Sequence, residues 1–434
     1  MYVIVHRVNN VPVSPNQPPP LRNHREPTMA TSLLPICFGI ALETTRVVTD
    51  VVFPTYSNIQ SNDPSTTTEW LGFYAGGAFL ATLSLSTSFQ PPSNALATLS
   101  FLTIASAYAV LALTTSMPRS TQLFLTTVTL IGLGTSAASV SSSALVATVQ
   151  QARNYRLAGI VSKLSIPVIV ASFTQSKHQL PILFSTISAV MAVLACVLFK
   201  CTPVHQTTKK VNNTPNIITY HQWWHVVCYC TMVSLPNIAG GIVRALLHTR
   251  FLSNTDETAS ASVAYSHSLS QTVSIPLLMC TAWMLDTTSA APTFAWITII
   301  VQALVMALAA SIILCSNATW VIVLAFVLFR AVEETAKLPN TMILLSFVGG
   351  GSKTSGGKGK AVRFVAAQKV IGSVLKMITS VASTRLIRVY GTSSGLVMAV
   401  ALCLVGASGL LCVVVYGGGG QRERSAVVVK RKVV

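Results

Sequence analysis

Residues 291–315 read APTFAWITIIVQALVMALAASIILC, without a single Asp, Glu, Lys, Arg or His. A helix needs about 20 predominantly apolar residues to cross the hydrocarbon of a bilayer, and this run has that reach. The same window, moved along the chain, predicts spans at 31–53, 70–89, 94–115, 121–148, 155–175, 179–200, 222–250, 260–285, 291–315, 318–347, 361–387 and 392–416. The fold class that follows is an all-α polytopic membrane protein with about twelve transmembrane helices.

Composition agrees. Of the 434 residues, 51% are hydrophobic and only 9% charged, with a mean hydropathy of +0.62. Soluble domains carry roughly 25% charged residues, and a soluble chain of this length would still need a polar exterior. The formal charge of +18 does not indicate a nucleic-acid partner. The basic residues sit in short loops and at the termini rather than in a stripe interleaved with aromatics, the habit of cytoplasmic loops in membrane proteins. Nine cysteines without a C-x-x-C pattern point to neither a zinc site nor a disulfide framework. No metal or cofactor is expected.

The loops set the organisation. Residues 1–30 read as a disordered cytosolic N-terminal tail, with a targeting segment, or a chain start at Met29, as alternatives. The longest polar internal loop, 201–221, separates a six-helix bundle at 31–200 from a second at 222–416, and 417–434 form a basic tail. The Gly-rich stretch GGGSKTSGGKGK at 349–360 lacks the G-x-x-x-x-G-K-[ST] spacing of a phosphate-binding loop and reads as a flexible connector. With the N-terminus in the cytosol, the clusters Arg153/Arg156, Lys200/Lys209/Lys210, Lys353/Lys358/Lys360/Arg363 and Arg422 to Lys432 fall on the cytosolic side. Arg119, Lys177, Arg250, Arg385 and Arg388 fall opposite. This bias places both termini in the cytosol.

The two halves echo each other. Span 1 carries Ile40, Ala41, Arg46 and Phe53; span 7 carries Ile238, Ala239 and Arg244, with Phe251 directly after it, at a constant offset of 198. An internal duplication of this kind is common in transporters. Six plus six helices, cytosolic termini and a central loop resemble the major facilitator superfamily. Its Gly-Asp-Arg-rich signature between helices 2 and 3 is absent from SFQPPSNA at 88–95, and the loop between helices 8 and 9 keeps only Asp286. The resemblance implies two pseudo-symmetric six-helix bundles around a central cavity lined by helices 1, 7 and 10 and flanked by 5 and 11, with 3, 6, 9 and 12 facing lipid. Charge placement fits. An ionised residue at the bilayer centre costs at least ~2.5–3.5 kcal/mol, and the interiors of spans 3, 6, 9 and 12 contain none, Lys200 standing at the very end of span 6, while spans 1, 5, 7, 10 and 11 contain most of them.

Those charges are the candidate site. Glu43, Arg46 and Asp50 lie at i, i+3 and i+7 on one face of span 1. They form either an internally neutralised cluster or a site in which Arg46 meets substrate and an acid exchanges protons. Arg244 has no acid within a turn, only His248, so it must find a carboxylate on another helix, water or an anionic ligand. The Arg46/Arg244 pair resembles the paired arginines of organophosphate exchangers and some organic-anion transporters. On span 10, Arg330–Glu334 and Glu333–Lys337 are i, i+4 pairs, and Pro339 is expected to kink the helix. Arg46, Arg244, His248 and Lys369 are therefore the expected substrate-binding residues. Glu43, Asp50, Arg330, Glu333, Glu334 and Lys337 are the expected coupling or gating residues. With Lys163 and Lys376, and leaving out the arginines near the span ends such as Arg385, these charges sum to +3, favouring an anion. The Ser-rich stretch Ser136 to Ser143 reads as a close-packing surface. The expected function is secondary active transport of a small, anionic organic or phosphorylated solute by alternating access, proton-coupled or by exchange. The rivals are a membrane-embedded lipid-modifying enzyme, which scattered histidines argue against, and a non-transporting receptor or assembly subunit.

Overall fold

A computed structural model describes residues 29–61, 66–86, 93–115, 121–145, 149–174, 179–200, 220–252, 259–287, 291–347 and 356–431. The predicted tail 1–28, most of the central loop and residues 432–434 lie outside the described residues. The described residues form twelve α-helices and no strand: α1 Met29–Ser61, α2 Thr66–Ser86, α3 Ser93–Thr114, α4 Thr121–Leu145, α5 Val149–Thr174, α6 Leu180–Lys200, α7 Tyr220–Leu252, α8 Ala259–Thr287, α9 Ala291–Cys315, α10 Thr319–Phe347, α11 Gly356–Tyr390 and α12 Thr392–Arg431.

Every expected span coincides with a helix, and several helices outrun it. α11 begins at Gly356, so part of the Gly-rich connector is helical. α12 continues to Arg431, through most of the expected basic tail. Span length reports only the apolar stretch, and a helix whose backbone bonds are internally satisfied has no reason to stop at the membrane surface. α10 continues through Pro339 to Phe347. Eight helices (α3, α4, α6, α7, α8, α9, α11 and α12) hold a stretch long and apolar enough to cross a membrane. Of the remaining four, α1, α5 and α10 carry much of the buried charge, which lowers their hydropathy and marks an inward-facing role.

Packing repeats between halves. In the first, α1 packs on α5, α2 on α4, and α3 on both α4 and α6; in the second, α7 packs on α11, α8 on α10, and α9 on both α10 and α12. The halves meet mainly along α2–α11 and α5–α8. The face at which α1 begins is here the terminal face.

The first-half core is an aromatic cluster on the far side. Phe53 meets Trp70 edge-on at 5.8 Å and Phe124 at 5.8 Å, and Tyr56 meets Phe184 at 5.8 Å. These rings fix the outer part of α1 against α2, α4 and α6. The second half has a mainly aliphatic core, around Ile242, Leu246 and Ile313, with Phe326 packed into it. The periphery is apolar, as in Leu99 and Leu113 on α3, Val193 and Phe199 on α6, Leu308 on α9 and Val415 on α12, all more than half exposed. One break in the symmetry is informative. α12 packs closely on α7 because Gly406 and Gly409 let it approach Pro236 and Met232. α6 has no glycine and barely touches α1 or α5. The gap is an apolar groove of about 1050 Å³ lined by residues such as Ile40, Val161, Ile169 and Val193. No charged side chain lines it.

Candidate functional site

The ionisable residues of the spans converge on two connected chambers between the bundles. The deeper, about 450 Å³, draws on α1, α2, α5, α7, α8, α10 and α11. The shallower, about 400 Å³, lies nearer the terminal face and draws on α1, α2, α4, α7, α10 and α11. They share Arg46, Tyr74, Arg244, Glu333 and Lys376. None of α3, α6, α9 and α12, whose only charges lie at the end of α6 and in the tail of α12, lines either chamber, as expected of ions that need shielding from lipid.

Arg46 and Arg244, the residues matched across the internal repeat, both line this space. Arg244 finds its acids on other helices. Its Nη1 donates to both oxygens of Glu333 on α10 at 2.7 and 2.8 Å, and its Nε lies 3.3 Å from Asp50 Oδ1 on α1. Gly240, one turn before Arg244 on α7, makes room for this: a side chain there would press on the Glu333 carboxylate. Arg330 donates to Glu333 and stands 3.6 Å from Asp50. Glu333, 8% exposed, thus holds two guanidiniums, while Asp50 reaches them from the opposite half at longer range. A second bridge between halves runs from Lys163 on α5 to Glu334 at 2.9 Å.

Two expected pairings differ. The span 1 triplet is not neutralised within itself, because Arg46 pairs with Glu43 at 2.6 Å while Asp50 turns to Arg244 and Arg330. On α10 the close pairs are i, i+3: Arg330 with Glu333, and Lys337 with Glu334 at 2.6 Å. Arg330–Glu334 is stretched to 3.8 Å. The competing attraction is Arg244, which draws Glu333 across to α7 and leaves Glu334 to Lys337 and Lys163.

Lys369 lines the shallow chamber. The side chain of His248 lies outside the described residues. The Ser-rich stretch of α4 does more than pack: Ser136 and Ser139, with Thr135, line the shallow chamber. Close packing of α4 also comes from Gly132, opposite Gly77 of α2.

Several site residues carry no formal charge and were missed. His267 and Gln271 on α8, both buried, line the deep chamber beside Trp70 and Tyr74 of α2. His267 packs edge-on against Phe326 at 5.0 Å, and its Nε2 is buried without a hydrogen-bond partner. The signal was present as a polar stripe at helical spacing, Ser266, His267, Ser270, Gln271 and Ser274, all buried.

The far end of the chambers is closed by the bundle interface. Near the start of α2, Thr68 and Thr384 of α11 share a hydrogen bond of 3.0 Å, and Ser380 donates to the Thr68 carbonyl at 2.5 Å. Gly72 permits that approach, with Ser380 Oγ 3.0 Å from where a Cβ would stand. On the other flank Ser268 of α8 donates to the Leu164 carbonyl of α5 at 2.8 Å.

No family model matches the sequence, and no curated protein matches it either. Solved structures do match in shape. The nucleoside transporter NupG aligns with a TM-score of 0.66 at 10% identity, over 89% of this chain and 99% of that one. A POT family transporter in complex with 5-aminolevulinic acid aligns at 0.64 and 10%, over 89% and 95%. A D-xylose-proton symporter aligns at 0.60 and 13%, over 88% and 95%. The chain therefore has the twelve-helix, two-bundle architecture of major facilitator superfamily transporters, a fold of multi-pass membrane proteins.

Proposed function

We propose that this chain is a secondary transporter that moves a small organic or phosphorylated anion by rocking its two bundles about the central chambers, coupled to protons or by exchange. The observation that carries the reading is electrostatic. Seven basic and four acidic side chains line the two chambers, a surplus of three positive charges enclosed between the bundles. Low-dielectric walls strengthen such a field, and an anion is the ligand that relieves it. The acids, shared between arginines and lysines of both halves, supply ion pairs that can exchange partners as the bundles move.

Counterflow in proteoliposomes tests this directly. Vesicles preloaded with one organic anion should accumulate labelled external anion and ignore its uncharged analogue. Accumulation of neutral or cationic solutes with no response to anions would remove the proposal, and binding without counterflow would leave a receptor.

The closed far end carries a second expected outcome. In a background without reactive native cysteines, T68C/T384C should cross-link under oxidation, because the two hydroxyls stand 3.0 Å apart. Uptake should then fall to background and return on reduction, while ligand binding from the terminal face persists. Uninterrupted transport by the cross-linked protein would show that this end never needs to open. With the termini in the cytosol, as loop charge favours, the chambers face inward.

A further inference from the structure

The surplus charge is not spread evenly, and its placement specifies the ligand's valence. In the deep chamber the cations have acids: Arg244 and Arg330 hold Glu333 and Asp50, and Lys163 and Lys337 hold Glu334. Arg46 holds Glu43. Two ammonium groups stand apart. Among the described residues, neither Lys369 nor Lys376 takes part in an ion pair.

Both lysines lie on α11, seven residues and about two turns apart, so they share a face, and both line the shallow chamber. Lys376 stands at the junction with the deep chamber, its Nζ 5.6 Å from the Tyr74 ring centre. A cation over an aromatic face is favourably placed without needing a counter-ion at its tip, which leaves the ammonium available. Around them the wall is lined by Ser136, Ser373 and Gln368, all able to donate hydrogen bonds to oxygens. Two ammonium groups outside any ion pair in one chamber favour two negative charges: a monoanion leaves one unpaired, and a neutral solute leaves both.

We infer that the shallow chamber binds a small organic dianion, a phosphomonoester or a dicarboxylate, with its charge held between Lys369 and Lys376. This rests on the transport of anions proposed above and adds the charge and the residues that select it.

The test is equilibrium binding to the purified full chain at pH 7.5, where a phosphomonoester with a second pKa of about 6 is mostly dianionic. Two matched pairs separate the chemistries: glycerol phosphate against its methyl phosphodiester, and succinate against its monomethyl ester. The dianion of at least one pair should bind about tenfold or more tightly than its monoanionic partner, and the pair that shows the gap identifies the class. Lys369→Gln and Lys376→Gln should each close the gap by weakening the dianion and sparing the monoanion, while Lys369→Arg, which keeps the charge, should preserve it. A global folding defect would weaken both members of a pair alike, and the Lys369→Arg protein controls for it. Equal affinity within both pairs, or a gap that survives in both Gln variants, overturns the dianion assignment while leaving anion transport standing. Failure of every anion to bind overturns the anion reading along with it.

Discussion

Replacing Arg244 with Lys is expected to abolish uptake while leaving the protein in the membrane at normal levels. The guanidinium serves two carboxylates at once, Glu333 through Nη1 and Asp50 through Nε. An ammonium is a point charge without the planar fork and can serve one well, not both. Positive charge is retained, so Glu333 keeps a counter-ion and the bundle avoids the cost of about 3–5 kcal/mol incurred when a buried pair loses a partner outright. What is weakened is one of the links between halves, that of Arg244 on α7 to Asp50 on α1, beside those of Arg330 to Asp50 and Lys163 to Glu334. Weakening a buried charge contact by about 3 kcal/mol corresponds to roughly 150-fold, and initial uptake rates in proteoliposomes should fall by about that order. Arg46→Lys should lose uptake by another route. Arg46 is 43% exposed at the junction of the chambers, so its change should weaken ligand binding with little effect on thermal unfolding. Unchanged transport in both variants would remove the arginines from the site.

How much of this was legible beforehand depended on the kind of residue. Ionised side chains in apolar runs are costly enough to betray their surroundings, and Glu43, Arg46, Asp50, Arg244, Arg330, Glu333, Glu334, Lys337 and Lys369 all line the chambers. The need of Arg244 for a distant acid followed from its lack of a local one. The partner could not be read: Glu333 had Lys337 at i+4 and Arg330 at i−3 in its own helix, and only the packing of α7 on α10 decides the contest. Neutral polar residues were harder. A buried histidine or glutamine costs far less than an ion, so His267 and Gln271 left no comparable trace among the many serines and threonines of the helices. Those hydroxyls commonly bond to the carbonyl one turn back, as Thr45 and Ser162 do, and so satisfy themselves without declaring a role.

The expected outcome with the largest effect on stability lies at the α2–α4 crossing. A Cβ on Gly77 would overlap the Thr129 carbonyl oxygen of α4 and stand 2.8 Å from the Leu133 nitrogen; a Cβ on Gly132 would overlap the Tyr74 carbonyl of α2. In both cases the obstacle is backbone, which cannot rotate away, so the two helices must separate. Small residues at such crossings allow the close packing that replaces the hydrophobic effect inside a membrane. Gly77→Ala and Gly132→Ala should therefore each cost about 3 kcal/mol, the upper end of ordinary overpacking, and lower the thermal unfolding midpoint accordingly. The double variant should cost less than the sum, because one separation of the helices accommodates both methyl groups, and neighbouring sites that share a displacement are not additive. The separation also moves Tyr74, which carries Lys376 on its ring, so ligand affinity should drop even at temperatures where the variants stay folded. Strict additivity, or variants as stable as the parent, would mean that α2 and α4 do not approach this closely in the membrane. The shallow chamber they help to wall would then have a different shape.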